Sequence, residues 1–237
     1  MKLNFLGYGG GFYPEAGSTS AYYIEGDKML LIDCGESVFR VAKERDIFAG
    51  IKDIYFCLTH THSDHIGSLG NFILYSALKR NIKFHVVCTP TMKYFETLET
   101  ILIAGDCNGL YNIFPPSKIN SVFREFSAMH YLLTDHSKNL PAYSIVFVTR
   151  DGILFYSGDS CSTTHLDRYI ERHTSIDEIY VDTSLYDGPG NVHLSLRTLD
   201  ENIPPELRHK VYCMHFDSPE CIDAARKLGF NTVDRNP

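Results

Sequence analysis

The stretch Leu58–Leu69 reads LTHTHSDHIGSL and lies at the end of the apolar run Ile54–Leu58. His60, His62, Asp64 and His65 place four metal-ligating side chains within six residues. Alternating histidines in a loop beyond a strand aim two imidazoles at one point. Asp64 and His65, at the start of the helix that follows, face a second point. Imidazole nitrogen with carboxylate oxygen suits zinc, with manganese or iron as the other fits. Asp64 is also a good helix N-cap, yet a cap accounts for one residue of the four.

Outward from this loop, Lys2–Leu6, Ser18–Glu25 and Lys28–Asp33 predict strands, the last two joined by a turn at Gly26-Asp27. Ser37–Arg45 predicts a helix. A second covers Ile66–Lys79, with Ile66, Leu69, Ile73 and Leu74 on one face. Phe84–Cys88 reads as a strand and Thr91–Ala104 as a helix. Further on, Met129–Thr134, Tyr143–Thr149, Ile153–Tyr156, Glu178–Asp182 and Val211–Met214 read as strands. Leu166–Arg172 and Pro219–Leu228 read as helices, with Gly229 stopping the latter. With no sequence repeat or linker, residues 1–237 read as one domain. The order fits an α/β sandwich: two mixed sheets face to face, helices outside, and functional residues at strand ends.

The 237 residues suffice for one large core, and 44% hydrophobic with 22% charged residues is ordinary globular composition. Seven scattered cysteines without a CxxC read as free, mostly buried thiols of a reducing compartment. No stretch approaches the roughly 18–20 apolar residues of a membrane span. The start, MKLNFLGYGGGF, lacks the long apolar core of a signal peptide. The expectation is a cytoplasmic protein without a membrane partner. A net charge of −7 and the lack of any long basic run disfavour long nucleic acid, whose phosphates require a basic surface. A small anionic substrate remains compatible.

Three later segments each set a ligand type after a predicted strand: His136 in LLTDHS, Asp159 in LFYSGDS and His215 in VYCMHFD. His130 competes with His136, but lies inside its predicted strand where His136 lies at the end. Asp159 also suits a turn. With these segments, His60-x-His62-x-Asp64-His65 resembles the signature of the metallo-β-lactamase superfamily of αββα metallohydrolases, over nearly the whole chain. The resemblance implies a four-layer αββα sandwich and two divalent ions, zinc or alternatively manganese. It puts one ion on His60, His62 and His136 and the other on Asp64, His65 and His215, with Asp159 bridging. Many β-lactamases carry Cys in place of Asp159, and the flavodi-iron branch carries Glu in place of His62. Neither change occurs, which favours a hydrolytic dinuclear site.

Two such cations share one water, and the bridging hydroxide attacks while they neutralise charge on the oxygens of a phosphodiester. The leaving alkoxide needs a proton, and a positioned acid contributes roughly 100- to 10,000-fold. His193, in DGPGNVHLSL, lies outside both ligand sets, and Asp182, ending the strand before that loop, can fix its ring. The spacing resembles the phosphodiesterase branch related to tRNA 3′-end nucleases, in which an acidic residue and a later His-x-Ser/Thr follow the bridging Asp. That assigns His193 as the acid and Asp182 as its partner, and gives Asp64 a catalytic share beside its ligand role. FLGYGGGFYPEAGSTSAYYIE resembles the Gly-rich opening of the same branch, where glycines let the backbone approach a phosphate or the metals. A plain turn between strands is the other reading of those glycines.

tRNA-processing enzymes usually carry a long arm. Here the stretch between Thr89 and Asp135 reads as the helix TMKYFETLETILIAG and a compact loop DCNGLYNIFPPSK, neither long nor basic. This compactness and the opening motif resemble the anti-Pycsar phosphodiesterases of phages and bacteria. The resemblance implies 3′,5′-cyclic nucleotides of the cyclic CMP, UMP, AMP or GMP type as substrate, and evasion of nucleotide-signalling antiphage defence. It also implies a homodimer in which a loop of one subunit reaches the site of the other. Leu110–Phe114 is the candidate for that loop, with ordinary local packing as the alternative. The rivals are an RNA or DNA nuclease of the same fold, a thioesterase or lactonase, and a non-catalytic metal-binding module. A thioesterase or lactonase would not require the Asp182–His193 pair.

Overall fold

Alternation along the strands decides how the layers stack. The structure is a computed structural model and describes residues 2–172 and 176–234. Strands β1 (Asn4–Gly7), β2 (Ser20–Glu25), β3 (Lys28–Ile32), β4 (Asp53–Cys57), β5 (Lys83–Val87) and β6 (Tyr111–Phe114) form one sheet in that order. Strands β7 (Phe126–Ser137), β8 (Leu140–Thr149), β9 (Ile153–Tyr156), β10 (Ile176–Asp182), β11 (Val211–Met214) and β12 (Asn231–Thr232) form the other, again in chain order. In each sheet the first three strands pair antiparallel and every later pairing is parallel. The two halves of the chain thus build the same sheet twice.

Parallel neighbours need crossovers, and these carry the helices α1 (Val38–Glu44), α2 (Ser63–Ile66), α3 (Leu69–Arg80), α4 (Phe95–Ala104), α5 (Thr164–Arg172), α6 (Leu196–Asn202) and α7 (Pro219–Lys227). Side chains of period two divide each strand between layers. Met29, Leu31, Ile54 and Phe56 pack outward against Val41, Leu69, Phe72 and Leu98. Their neighbours Leu30, Ile32, Tyr55 and Cys57 face the second sheet through Ile145, Phe147, Leu154 and Tyr156. Beyond it, Val146, Ile153 and Phe155 pack on Leu166, Leu199 and Ala225. The result is the expected αββα sandwich.

Two expectations change. The helix expected over Ile66–Lys79 is two helices, α2 and α3, parted at Gly67-Ser68. Ser68 sets the break: its hydroxyl donates to Gly35 O and accepts from Phe39 N. The Leu110–Phe114 loop is mostly strand, since Tyr111–Phe114 is β6 and pairs with β5. Phe114 meets the edge of Tyr55 at 5.0 Å, and Leu110 and Tyr111 pack on the outer core, while Ile113 stays exposed. Six of the seven cysteines are buried, Cys161 is exposed, and all are free. Among the described residues no helix is long and apolar enough to cross a membrane.

Candidate metal centre

The C-terminal ends of β3, β4, β9, β10 and β11 converge, and each delivers a polar side chain. Two of these chain reversals use left-handed backbone at non-glycine residues, Asp33 (φ 58°) and His215 (φ 56°). Such conformations persist where surrounding contacts fix them. At Asp33 the contacts are visible. Its carboxylate accepts from Thr59 N and Thr59 Oγ1, both at 2.8 Å, and pairs with His65 Nδ1 at 2.9 Å. Asp33 therefore holds the start of the ligand loop and orients His65. It was not among the candidates from sequence. Its signal was the same strand-then-Asp pattern that marked Asp159, but a lone Asp after a strand is too common to stand out.

The structure brings His60, His62, His136 and Asp159 together, with one ligand atom from each inside a mutual 4.8 Å. Asp64, His65, Asp159 and His215 form a second such group. In the first, His62 Nδ1 lies 3.0 Å from His60 Nε2 and 3.1 Å from His136 Nε2, so three ring nitrogens point at one another. His136 Nδ1 donates to Val192 O at 2.8 Å, which fixes its tautomer and leaves the Nε2 lone pair facing the cluster. In the second, His65 Nε2 and His215 Nε2 are 3.3 Å apart, and His215 Nε2 is 3.1 Å from Asp64 Oδ2.

Asp159 is shared atom by atom. Its Oδ2 faces His60 and His136 at 3.6 and 3.7 Å, and its Oδ1 faces His65 and His215 at 3.3 and 3.4 Å. That Oδ1 is buried without a hydrogen-bond partner. Converging nitrogen lone pairs and an orphaned buried carboxylate oxygen are the donor set that a pair of divalent cations satisfies. His130 lies apart: it is exposed on β7, opposite Val146.

Electrostatics divide the two groups. Burial, then the charge of His65, holds His60 well below the ordinary imidazole range; burial, then His136, lowers His62. Both rings are therefore neutral and free to donate a lone pair. Burial also opposes charge on His65 and His215, but Asp159 and Asp33 raise the first well above the ordinary range. Asp159, Asp182 and Asp64 raise the second to about 10. Burial pushes Asp159 and Asp64 up, yet the surrounding imidazoles outweigh it and keep both ionised.

His193 stands beside these groups. Its Nδ1 is 2.8 Å from Asp182 Oδ2 and 3.8 Å from Asp159 Oδ2, and its ring stacks on His215 at 5.1 Å. Asp182 Oδ2 also accepts from Ser160 N at 3.2 Å, while its Oδ1 faces His215 Nδ1 at 3.4 Å. One buried carboxylate thus serves both the free histidine and a clustered one. The side chain of His193 is 30% exposed, so the ring reaches solvent. Burial lowers its proton affinity, but the charge and hydrogen bond of Asp182 outweigh this and raise it.

Glycines let the surrounding backbone close in. A Cβ on Gly35 would lie 1.9 Å from Asp64 O. A Cβ on Gly10 would meet the His215 ring at 3.0 Å, and one on Gly11 would meet Asp64 Oδ2 at 3.1 Å. The Gly-rich opening therefore closes directly on the clustered residues His215 and Asp64.

A four-layer sandwich carrying two such clusters around one carboxylate defines a metallohydrolase of the metallo-β-lactamase fold. Among solved structures, the chain is similar to the metallo-beta-lactamase fold protein YhfI from Bacillus subtilis. The TM-score is 0.72 and the identity 15%, over 98% of this chain and 94% of that one. It is also similar to the short form of human tRNase Z, with a TM-score of 0.65 and 17% identity over 100% and 98% of the two chains. By sequence, it is 27% identical to the anti-Pycsar protein Apyc1 of Paenibacillus harenae over 224 residues, covering 91% of this chain and 90% of that protein. The chain belongs to the anti-Pycsar protein Apyc1 family, whose model matches residues 1–234.

Proposed function

We propose that the protein is a metal-dependent phosphodiesterase that opens 3′,5′-cyclic nucleotides and so silences a nucleotide messenger of antiphage defence. The observation that carries this reading is His193 against Asp182, outside both ligand clusters yet beside their shared Asp159. Hydrolysis of an ester by an activated water needs ligands and a water. Expulsion of a ribose alkoxide also needs a proton donor, and His193 supplies one.

His60, His62 and His136 would hold one divalent cation, and Asp64, His65 and His215 a second, with Asp159 between them. Zinc suits this donor set, and manganese is the alternative. Bound cations supply Lewis acidity, activating a water and neutralising charge on phosphoryl oxygens. The protein's own residues do the rest. Asp64, held ionised, orients the attacking water. Asp182 fixes the His193 ring through Nδ1, which leaves Nε2 to give the leaving oxygen its proton. Asp182 also faces His215, so the acid and one cluster share an orienting group.

The formal charge of −7 and the folded stretch between Thr89 and Asp135 support a small substrate over tRNA: α4, β6 and β7 fill the place of an arm. We take the active form to be a cytoplasmic homodimer. Ile101 and Ile103 on α4 and Ile113 on edge strand β6 are exposed apolar residues suited to a subunit contact.

The test is turnover of 3′,5′-cyclic nucleotides, pre-tRNA, bis-p-nitrophenyl phosphate and a thioester by the metal-loaded protein. The cyclic nucleotides and the simple diester are expected to be hydrolysed. Turnover of the thioester alone, or of pre-tRNA with cyclic nucleotides untouched, refutes the reading.

A further inference from the structure

The ring of Phe12 is wholly in water, at 102% relative exposure. Its surroundings are anything but loose. Tyr13 N donates to Gly10 O at 3.0 Å, closing a four-residue turn with Gly11 and Phe12 at its tip. Gly10 N donates to Phe216 O at 2.9 Å, and Phe216 N donates to Tyr8 O at 3.0 Å, so the turn is pinned to the residue after His215. The contacts at Gly10 and Gly11 place the same turn on His215 and Asp64. The Cα of Phe12 is about 3.8 Å beyond that of Gly11. A rigid turn resting on two clustered ligands therefore holds one bare phenyl ring at the rim of the site. Tyr186, also exposed, differs: its hydroxyl is tied to Pro189 O at 3.1 Å, within the loop that carries His193.

We propose that Phe12 is the platform on which the substrate's nucleobase stacks. The inference rests on the cyclic nucleotide reading above and extends it to the base. Every nucleobase offers a π face, so an aromatic platform binds purines and pyrimidines alike, without hydrogen bonds that select one. The backbone of the turn is held by hydrogen bonds before substrate arrives, so only the two side-chain torsions of Phe12 remain to be ordered on binding. The phosphate would face the clusters while the base covers Phe12, returning an exposed apolar ring to contact.

The chain contains no tryptophan, so Phe12→Trp introduces a single emitter at the site. Adenosine and cytidine 5′-monophosphates are both expected to quench it, whereas ribose 5-phosphate and inorganic phosphate are not. Phe12→Ala is expected to raise KM for purine and pyrimidine cyclic nucleotides about tenfold, with kcat little changed, as the loss of one stacking contact predicts. Phe12→Trp should restore KM. Because the ring packs on nothing, neither variant removes core contacts. Equal quenching by ribose 5-phosphate, an unchanged KM in Phe12→Ala, or a KM that rises only through loss of the dimer overturns the platform. If the wild-type protein hydrolyses no cyclic nucleotide but the nucleotides still quench Phe12→Trp, the substrate reading fails and the platform stands.

Discussion

Replacing His193 by Ala separates proton donation from metal binding. The 2.8 Å bond to Asp182 is the shortest polar contact of the His193 ring, which also stacks on His215, and neither the His60–His62–His136–Asp159 group nor the Asp64–His65–Asp159–His215 group loses a ligand atom with that ring. A positioned acid contributes about 100- to 10,000-fold, or about 3–5 kcal/mol of barrier, when the leaving group is a poor one. The loss is therefore expected in full for a cyclic nucleotide, whose leaving ribose alkoxide must be protonated. It should nearly vanish for bis-p-nitrophenyl phosphate, whose phenolate departs unaided. Asp182 keeps its bond from Ser160 N, so the stability cost should stay near that of one hydrogen bond to a charged group, about 1–3 kcal/mol. Steady-state kinetics on both substrates, with bound metal quantified in parallel, provide the assay. Asp182 raises the proton affinity of His193, so the acid form persists above the ordinary imidazole range and activity falls as pH rises through that raised value. The Ala variant should lack this alkaline limb. Equal losses on both substrates, or none on the cyclic nucleotide, would refute the acid role.

The remaining predictions concern the scaffold of the site. Asp33→Ala strands three buried donors and should cost about 3–5 kcal/mol in a thermal melt. It should also weaken metal binding at the His65 cluster by about 10–100-fold in a metal titration. Because His65 and His215 hold protons that a cation must displace while His60 and His62 are neutral, the His60 cluster should fill first as pH rises. Metal titrations at about pH 6 and about pH 8, with proton release recorded, test this order. Gly35→Ala drives a Cβ into Asp64 O and should empty the second cluster of metal. Gly50→Ala, whose Cβ meets open space, should cost only about 1–2 kcal/mol of left-handed backbone and leave metal content intact.

Much of this was legible because it is local. Strand alternation in Lys28–Asp33 and Ile54–Leu58, and ligands packed into His60–His65, need only neighbours in sequence to be recognised. His136 and His215 became readable as partners of that cluster, since each follows a predicted strand. What escaped depends on distant contacts. β6 is four residues long and exists because β5 is there to pair with it. Helix α6 begins where Ser195 accepts from Thr198 N, a cap hidden in a loop otherwise read for His193. The second role of Asp182, facing His215, joins strands whose adjacency no spacing reveals.

His65 and His215 meet at 3.3 Å although 150 residues separate them. Because each sheet is one half of the chain in order, both clusters draw side chains from both halves. Synthesis delivers the first half of the chain before the second. At that stage His60, His62, Asp64 and His65 are present, but neither Asp159 nor His215 is. The first group is complete only once Asp159 is in place, and the second also waits for His215, so neither could close around a cation until the second sheet docks. Ions bound there would act as a clasp across the seam, since each group takes side chains from both halves of the sandwich.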